Sequence, residues 1–166
     1  AEGAQTFRVS DAAYDRYMGR YSDPLAQELL RAAGVEPGQC ALDVGCGPGA
    51  LTAALVSALG TGSVAAVDPS EPFVEACRRR NPGVEVRTGA AEGLPFPDRS
   101  FDAVLAQLVV QFMSDAPSGV REMRRVARPG GVLAACTWDY GDGMTMLRTF
   151  WSAAQALDPA APDEAA

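Results

Sequence analysis

The chain has 166 residues, a formal net charge of -7, 48% hydrophobic and 21% charged residues, which suits one globular α/β domain and leaves no room for a second independent core. All 14 basic residues are Arg, and with no basic stripe to displace counterions a nucleic-acid partner is not expected; a small substrate is. The absence of His excludes a His-based metal site and Ser-His catalysis, and no apolar run approaches the ~18 residues needed to cross a bilayer.

Four cysteines, Cys40, Cys46, Cys77 and Cys136, lie in apolar or glycine-rich contexts without C-x-x-C spacing. They read as free thiols of a reducing compartment, with no metal ligands among them. No apolar leader core stands at the amino terminus, so a cytoplasmic protein is the expectation. Residues 1–9 read as poorly ordered. The next stretch, SDAAYDRYMGRY at 10–21, mixes aromatic and Arg side chains behind an N-cap Ser. Ser22 is expected to cap a second helix, DPLAQELLRAAG, with Pro24 in its first turn, Gly34 past its end, and Leu25, Leu29 and Ala32 on one face.

Residues 41–51 read ALDVGCGPGAL. Leu42 and Val44 suit the end of a buried parallel strand, Gly45, Gly47 and Gly49 crowd a turn, and residues 50–59 take up a helical period. Glycines there let the backbone turn sharply and let a ligand come into contact with it. The spacing also satisfies the G-x-G-x-x-G/A fingerprint of dinucleotide enzymes. Asp43 lies two residues before Gly45, so alternation puts its carboxylate on the same side, where an anion repels pyrophosphate and attracts an ammonium or sulfonium group. Pro48 removes one N–H from any phosphate cradle. A cationic cofactor is favoured, S-adenosylmethionine being the common one.

A second buried strand at 63–67 stops at Asp68, about 20 residues past the loop, where an adenosine-binding α/β fold places a carboxylate for both ribose hydroxyls. Pro69 and Ser70 would flank the adenine. A helix follows at 71–80, its Arg78-Arg79-Arg80 end read as solvated. A third strand at 84–88 leads to the loop GAAEGLPFPD. A fourth strand at 101–106 runs into Gln107, Leu108 and Gln111, beyond a carboxyl edge where ligands bind. A helix at 114–127 carries Val120, Met123 and Val126 on one face, and Arg128-Pro129-Gly130-Gly131 turns it into a fifth strand at 132–138. Asp139 lies just past that strand, and a last amphipathic helix at 144–157 precedes a fraying tail, 158–166. The fold class is α/β, a Rossmann-like doubly wound parallel sheet of order 3-2-1-4-5.

The stretches YDRYMGRYS, LDVGCGPGALT, AAVDPSEPFVEACR, GAAEGLPFPDRSFDAVLAQLVV and RPGGVL together resemble the class I S-adenosylmethionine-dependent methyltransferases, in particular their small-molecule, quinone-biosynthesis-like branch. The resemblance implies methyl transfer from S-adenosylmethionine to a small-molecule acceptor, with S-adenosylhomocysteine as product. It places residues 1–21 as a lid, with Tyr14 and Arg20 near the methionine carboxylate, and 22–157 as the cofactor core. It assigns cofactor contacts to Asp43, Gly45, Cys46 through its amide, Gly47, Asp68, Pro69, Ala90, Ala91, Glu92, Gln107 and Leu108. Gln107 and Gln111 face the acceptor side, and Asp139 would serve as base for an oxygen acceptor.

One departure is Ala90, where the family usually carries an Asp that accepts the adenine amino group, leaving adenine to the Ala91 amide, Glu92 and apolar packing. The family also adds two strands after the last helix. Their lack here reads as a truncated chain whose fifth strand keeps an unpaired edge, and a homodimer is expected. Two alternatives stay open at this point, a cofactor-binding fragment without turnover and an NAD-dependent oxidoreductase.

Overall fold

The computed structural model describes residues 19–139 and 143–160. Two units are distinguished, Ala1–Cys136 and Thr137–Ala166. In the first, five parallel strands form one sheet in the predicted order β3-β2-β1-β4-β5, with β1 Ala41–Val44, β2 Val64–Asp68, β3 Glu85–Thr88, β4 Phe101–Gln107 and β5 Ala127–Cys136. Its helices are α1 Arg20–Ala33, α2 Ala50–Leu59, α3 Glu71–Arg80 and α4 Ala116–Val126. The second unit carries α5, Thr145–Leu157, in which Phe150 and Trp151 pack edge to face at 5.0 Å. No helix among the described residues is long and apolar enough to cross a membrane.

Alternation along the buried strands divides the apolar residues between two cores. Ala41, Ala66, Ala103 and Leu105 join Leu29, Leu55 and Val74 of α1, α2 and α3. Leu42, Val44, Val67 and Val104 join Phe96, Met123 and Val126 on the opposite face. The same parity sends Asp43 to α2 and Gln107 to α1, where each finds its hydrogen-bond partner.

Three boundaries differ from the sequence reading. Helix α1 starts at Arg20, so Ser22 is a buried residue of its first turn rather than its cap. The buried face is Ser22, Ala26, Leu29 and Leu30, a set rotated one position from the predicted one, and Ala32 faces solvent. Helix α4 is capped by Asp115, whose carboxylate accepts from Ser118 N at 3.0 Å, instead of starting at Ser114. Val120 is 46% exposed, because Gly119 packs there against Met113 and Ala91. Strand β5 begins at Ala127 and not at Val132; the Arg128–Gly131 stretch stays paired through a register shift opposite Phe101 and Ala103, with Gly130 at φ +82°. Pro129 and Gly130 bulge an edge strand without ending it, the position where such residues are tolerated.

Candidate ligand-binding site

The carboxyl end of β1 runs into residues 45–49, a turn locked by its own backbone. Gly45 N and Cys46 N both donate to Val67 O, at 2.8 and 3.0 Å, and Gly49 N donates to Cys46 O at 2.9 Å. Gly47 N donates to Asp68 Oδ2 at 2.9 Å, and Pro48 has no N–H. Every amide of the turn is spent inside the protein, so none remains to grip a phosphate. This corrects the expected use of the Cys46 amide, which binds β2 instead; its thiol side chain is buried in the core on the α2 side.

The glycines divide by what surrounds them. A Cβ at Gly45 would stand 2.4 Å from the Val109 side chain, and one at Gly49 would stand 2.4 Å from Asn81 Nδ2 and 2.8 Å from Cys77 Sγ. These two are small because the protein presses on them. Gly47, at φ +51° with nothing within 4 Å of its Cβ position, is the one of the three that leaves backbone open to a ligand.

Asp43 is 1% exposed and accepts a hydrogen bond from Thr52 Oγ1 at 2.6 Å. Burial pushes its carboxyl up to about 8, and no cation pairs with it among the described residues. The anion expected at the exit of β1 is therefore a buried acid, mostly protonated at neutral pH before any ligand arrives. Electrostatic attraction by Asp43 alone does not select a cation; the spent amides of the turn disfavour a phosphate.

Asp43, Gly45, Cys46, Gly47, Gln107 and Leu108 are brought together around a cavity of about 30 Å³, space for roughly one water. Ser22 and Arg80 also line it and were not expected there. Gln107 Nε2 donates to Ser22 O at 3.0 Å, while its buried Oε1 has no partner among the described residues. Leu108 is buried at φ +58°, a costly conformation for a branched apolar side chain, and donates its amide to Cys136 O at 2.8 Å. Gln111 is exposed and turns back to Leu108 O at 3.0 Å, so it adds nothing to the cavity wall.

Asp68 stands beside this cavity at the end of β2, 6% exposed. Its Oδ1 accepts from Ser70 N at 2.8 Å and its Oδ2 from Gly47 N, and burial raises its pKa despite both bonds. Each oxygen keeps a further lone pair. Ser70 occupies the N-cap of α3 yet makes no side-chain capping bond. Pro69 is exposed beside it, and Gly89 N donates to Asp68 O at 3.1 Å, which draws the loop after β3 to the same edge. There Ala90 is exposed and Ala91 is buried in the second core. Glu92 Oε1 accepts from Asp115 N at 3.1 Å, which ties its carboxylate to the start of α4 and still leaves lone pairs on both oxygens.

Arg20 lies outside the cavity wall, its guanidinium stacked 4.8 Å over the Tyr21 ring. Tyr14 falls outside the described residues. Asp139 belongs to the second unit, where it is exposed and its carbonyl accepts from Met144 N at 3.0 Å. Among the described residues no group of three or more His, Cys, Asp or Glu is gathered for a metal ion. Thr52 was missed, although a polar residue on the apolar face of ALTAALVSAL signals a buried partner. Arg80 was read as solvated, and it reaches Asp23 of α1 at 3.3 Å.

Residues 42–135, more than half of the chain, match the family described as "Methyltransferase domain". The malonyl-[acyl-carrier protein] O-methyltransferase of Serratia marcescens is 32% identical over 134 residues, covering 81% of this chain and 51% of that protein. The demethylmenaquinone methyltransferase of Staphylococcus aureus (strain MRSA252) is 37% identical over 111 residues, covering 64% and 46%. The fold is shared with the solved complex of a methyltransferase and the Haloferax volcanii Trm112 methyltransferase activator, at TM-score 0.72 and 24% identity over 88% of this chain and 65% of that one. The chain spans about half the length of these two curated relatives. Its motifs, sheet order and match over residues 42–135 agree, and the chain belongs to the methyltransferase domain family.

Proposed function

We propose that the chain binds S-adenosylmethionine at the carboxyl edge of β1, β2 and β4 and serves methyl transfer to a small-molecule acceptor. The observation that carries this reading is the turn at 45–49, whose amides are all spent internally. A nucleoside without phosphate loses nothing there, whereas the pyrophosphate of a dinucleotide would find no free donor within the turn itself. The residues present fit such a cofactor. Asp68 keeps lone pairs for ribose hydroxyls, Gly47 offers bare backbone, and the orphaned Gln107 Oε1 suits a ligand ammonium, since a buried acceptor without a donor is costly.

When bound, S-adenosylmethionine supplies an electrophilic methyl on its sulfonium. Rate then comes chiefly from holding an acceptor nucleophile about 3 Å away and in line, which asks for positioning more than for acid-base groups. The cavity holds about one water, so the larger part of a nucleoside would lie outside it, along Asp68 and the exposed Pro69 and Ala90. The Asp43 carboxyl, whose pKa burial raises, ionises more readily once a cation sits beside it.

The test is a methyl-transfer assay that follows S-adenosylhomocysteine across quinones, carboxylic acids and amines. Turnover on one class supports the reading. Cofactor binding with a blank across all classes leaves a binding module in its place, and no cofactor binding at all contradicts it.

A further inference from the structure

We propose that the groove at the amino ends of β4 and β5, at the end of the sheet opposite the cofactor cavity, is a second binding site that takes a small phosphorylated molecule. Strand β4 runs from Phe101 at the groove to Gln107 at the cavity, about 20 Å at the usual strand rise, so the two sites do not share residues. The inference does not depend on which cofactor the first site holds.

The groove encloses about 500 Å³, within the ~300–1,000 Å³ typical of small-molecule clefts. Five arginines line it, Arg99, Arg121, Arg124, Arg125 and Arg128, with Asp98 as the only carboxylate in its wall. In a chain of net charge -7 this gathers five of 14 basic residues at one place. A long polyanion would meet the acidic remainder of the surface, whereas a small anion need only reach the groove.

Not all five are available. Arg125 is structural: it binds Glu122 and Asp98 and donates to Phe96 O and Leu94 O. Arg128 is held by Asp102 at 2.6 Å. Arg121 is only loosely engaged, 3.9 Å from Asp115. Arg99 and Arg124 have no side-chain partner among the described residues.

Two ordinary explanations for free arginines here leave Arg99 unaccounted for. Capping of α4 does not require them, because Arg99 N and Ser100 N already donate to Arg125 O and Val126 O at 3.0 and 2.7 Å. The helix dipole accounts for Arg124 in the last turn, but Arg99 is on a loop. Arg99 also holds φ +54°, a left-handed conformation in which Gly or Asn would be unstrained and Arg is not. An unpaired, strained cation facing a groove is the pattern of a side chain kept for a ligand. Gly130, with nothing within 4 Å of its Cβ position, leaves the floor bare. Two free guanidinium forks with Arg121 beside them can grip two tetrahedral oxyanion centres at once, which suits a diphosphate better than a lone sulfate or carboxylate.

The test titrates the full chain with sodium pyrophosphate by calorimetry and thermal denaturation, against sodium sulfate at matched ionic strength. Saturable pyrophosphate binding is expected, weakened at least tenfold in the Arg99→Gly/Arg124→Ser double variant and unchanged in Arg79→Ser on α3. Arg99→Gly alone relieves the backbone, so it should melt no lower than the parent without ligand while still losing affinity. Absence of saturable binding, an equal response to sulfate, or equal affinity in the double variant each overturns the proposal.

Discussion

Two loops meet at the carboxyl edge of the sheet and are built in opposite ways. The turn at 45–49 after β1 is fixed by backbone bonds to β2 and by one carboxylate, Asp68. The loop at 89–95 after β3 is fixed by side-chain bonds to a helix far along the chain: Glu92 accepts from Asp115 N, Glu122 accepts from Leu94 N at 2.9 Å, and Arg125 donates to Leu94 O at 3.0 Å. The first is a preorganised cradle whose shape comes from glycines. The second takes its shape from α4 and can adjust with it.

The sharpest way to separate the two loops is pH. Burial raises the Asp43 carboxyl from 3.8 to about 8, so between those values the folded chain holds a proton that the unfolded chain has released. Stability contributed there is full below about pH 4 and is lost as pH rises toward 8, with a slope of at most ~1.4 kcal/mol per pH unit. Asp68, raised in the same direction, adds to the trend. Under the second loop, Arg125 holds Glu122 below its usual value, so that contribution is present at neutral pH and is lost only as pH falls through the depressed value. Urea melts from pH 5 to 8 should show falling stability in the parent and a flatter profile in Asp43→Asn.

Glycine substitutions come next. Gly49→Ala forces a Cβ onto Asn81 and Cys77 at φ +95° and should cost about 2–4 kcal/mol in chemical denaturation. Gly93→Ala in the other loop meets nothing within 4 Å and should stay within about 0.5 kcal/mol. Similar losses would erase the distinction between the loops.

Cofactor affinity should follow the same contrast on a smaller scale. Asp68→Ala removes the acceptor for ribose and releases Gly47 N, and should weaken S-adenosylhomocysteine binding by roughly 10- to 100-fold in calorimetry. Glu92→Ala removes the tie to the start of α4 and at most one contact to the adenine, and should cost less than about fivefold. Equal losses would mean that the ribose is held elsewhere.

The sheet order was legible because each strand is a short apolar run separated by a helical period, and right-handed crossovers leave few arrangements. Helix α2 was legible to the residue, with Gly49 before it and Gly60 after it. The placement of Asp68 at the end of β2, against the turn, was legible from spacing. What failed depended on long-range packing. The rotation of α1 was decided by Ser22 packing against Gln107, 85 positions away, and the tie from Glu92 to Asp115 spans 23 positions, a link that spacing does not report. Gly45 looked like a ligand glycine because nothing near it in sequence reveals Val109 lying on top of it. Asp43 was placed on the correct side of its strand, but its charge state depends on burial under α2, which spacing does not report.

The central claim is that the turn after β1 suits a nucleoside lacking phosphate because its amides are committed inside the protein. Calorimetric titration of the protein with S-adenosylhomocysteine and, separately, NADH tests it most directly. The account predicts one-to-one binding of S-adenosylhomocysteine that Asp68→Ala weakens, and no saturable heat with NADH. NADH binding as tight as that of S-adenosylhomocysteine, and lost in the same variant, would contradict it.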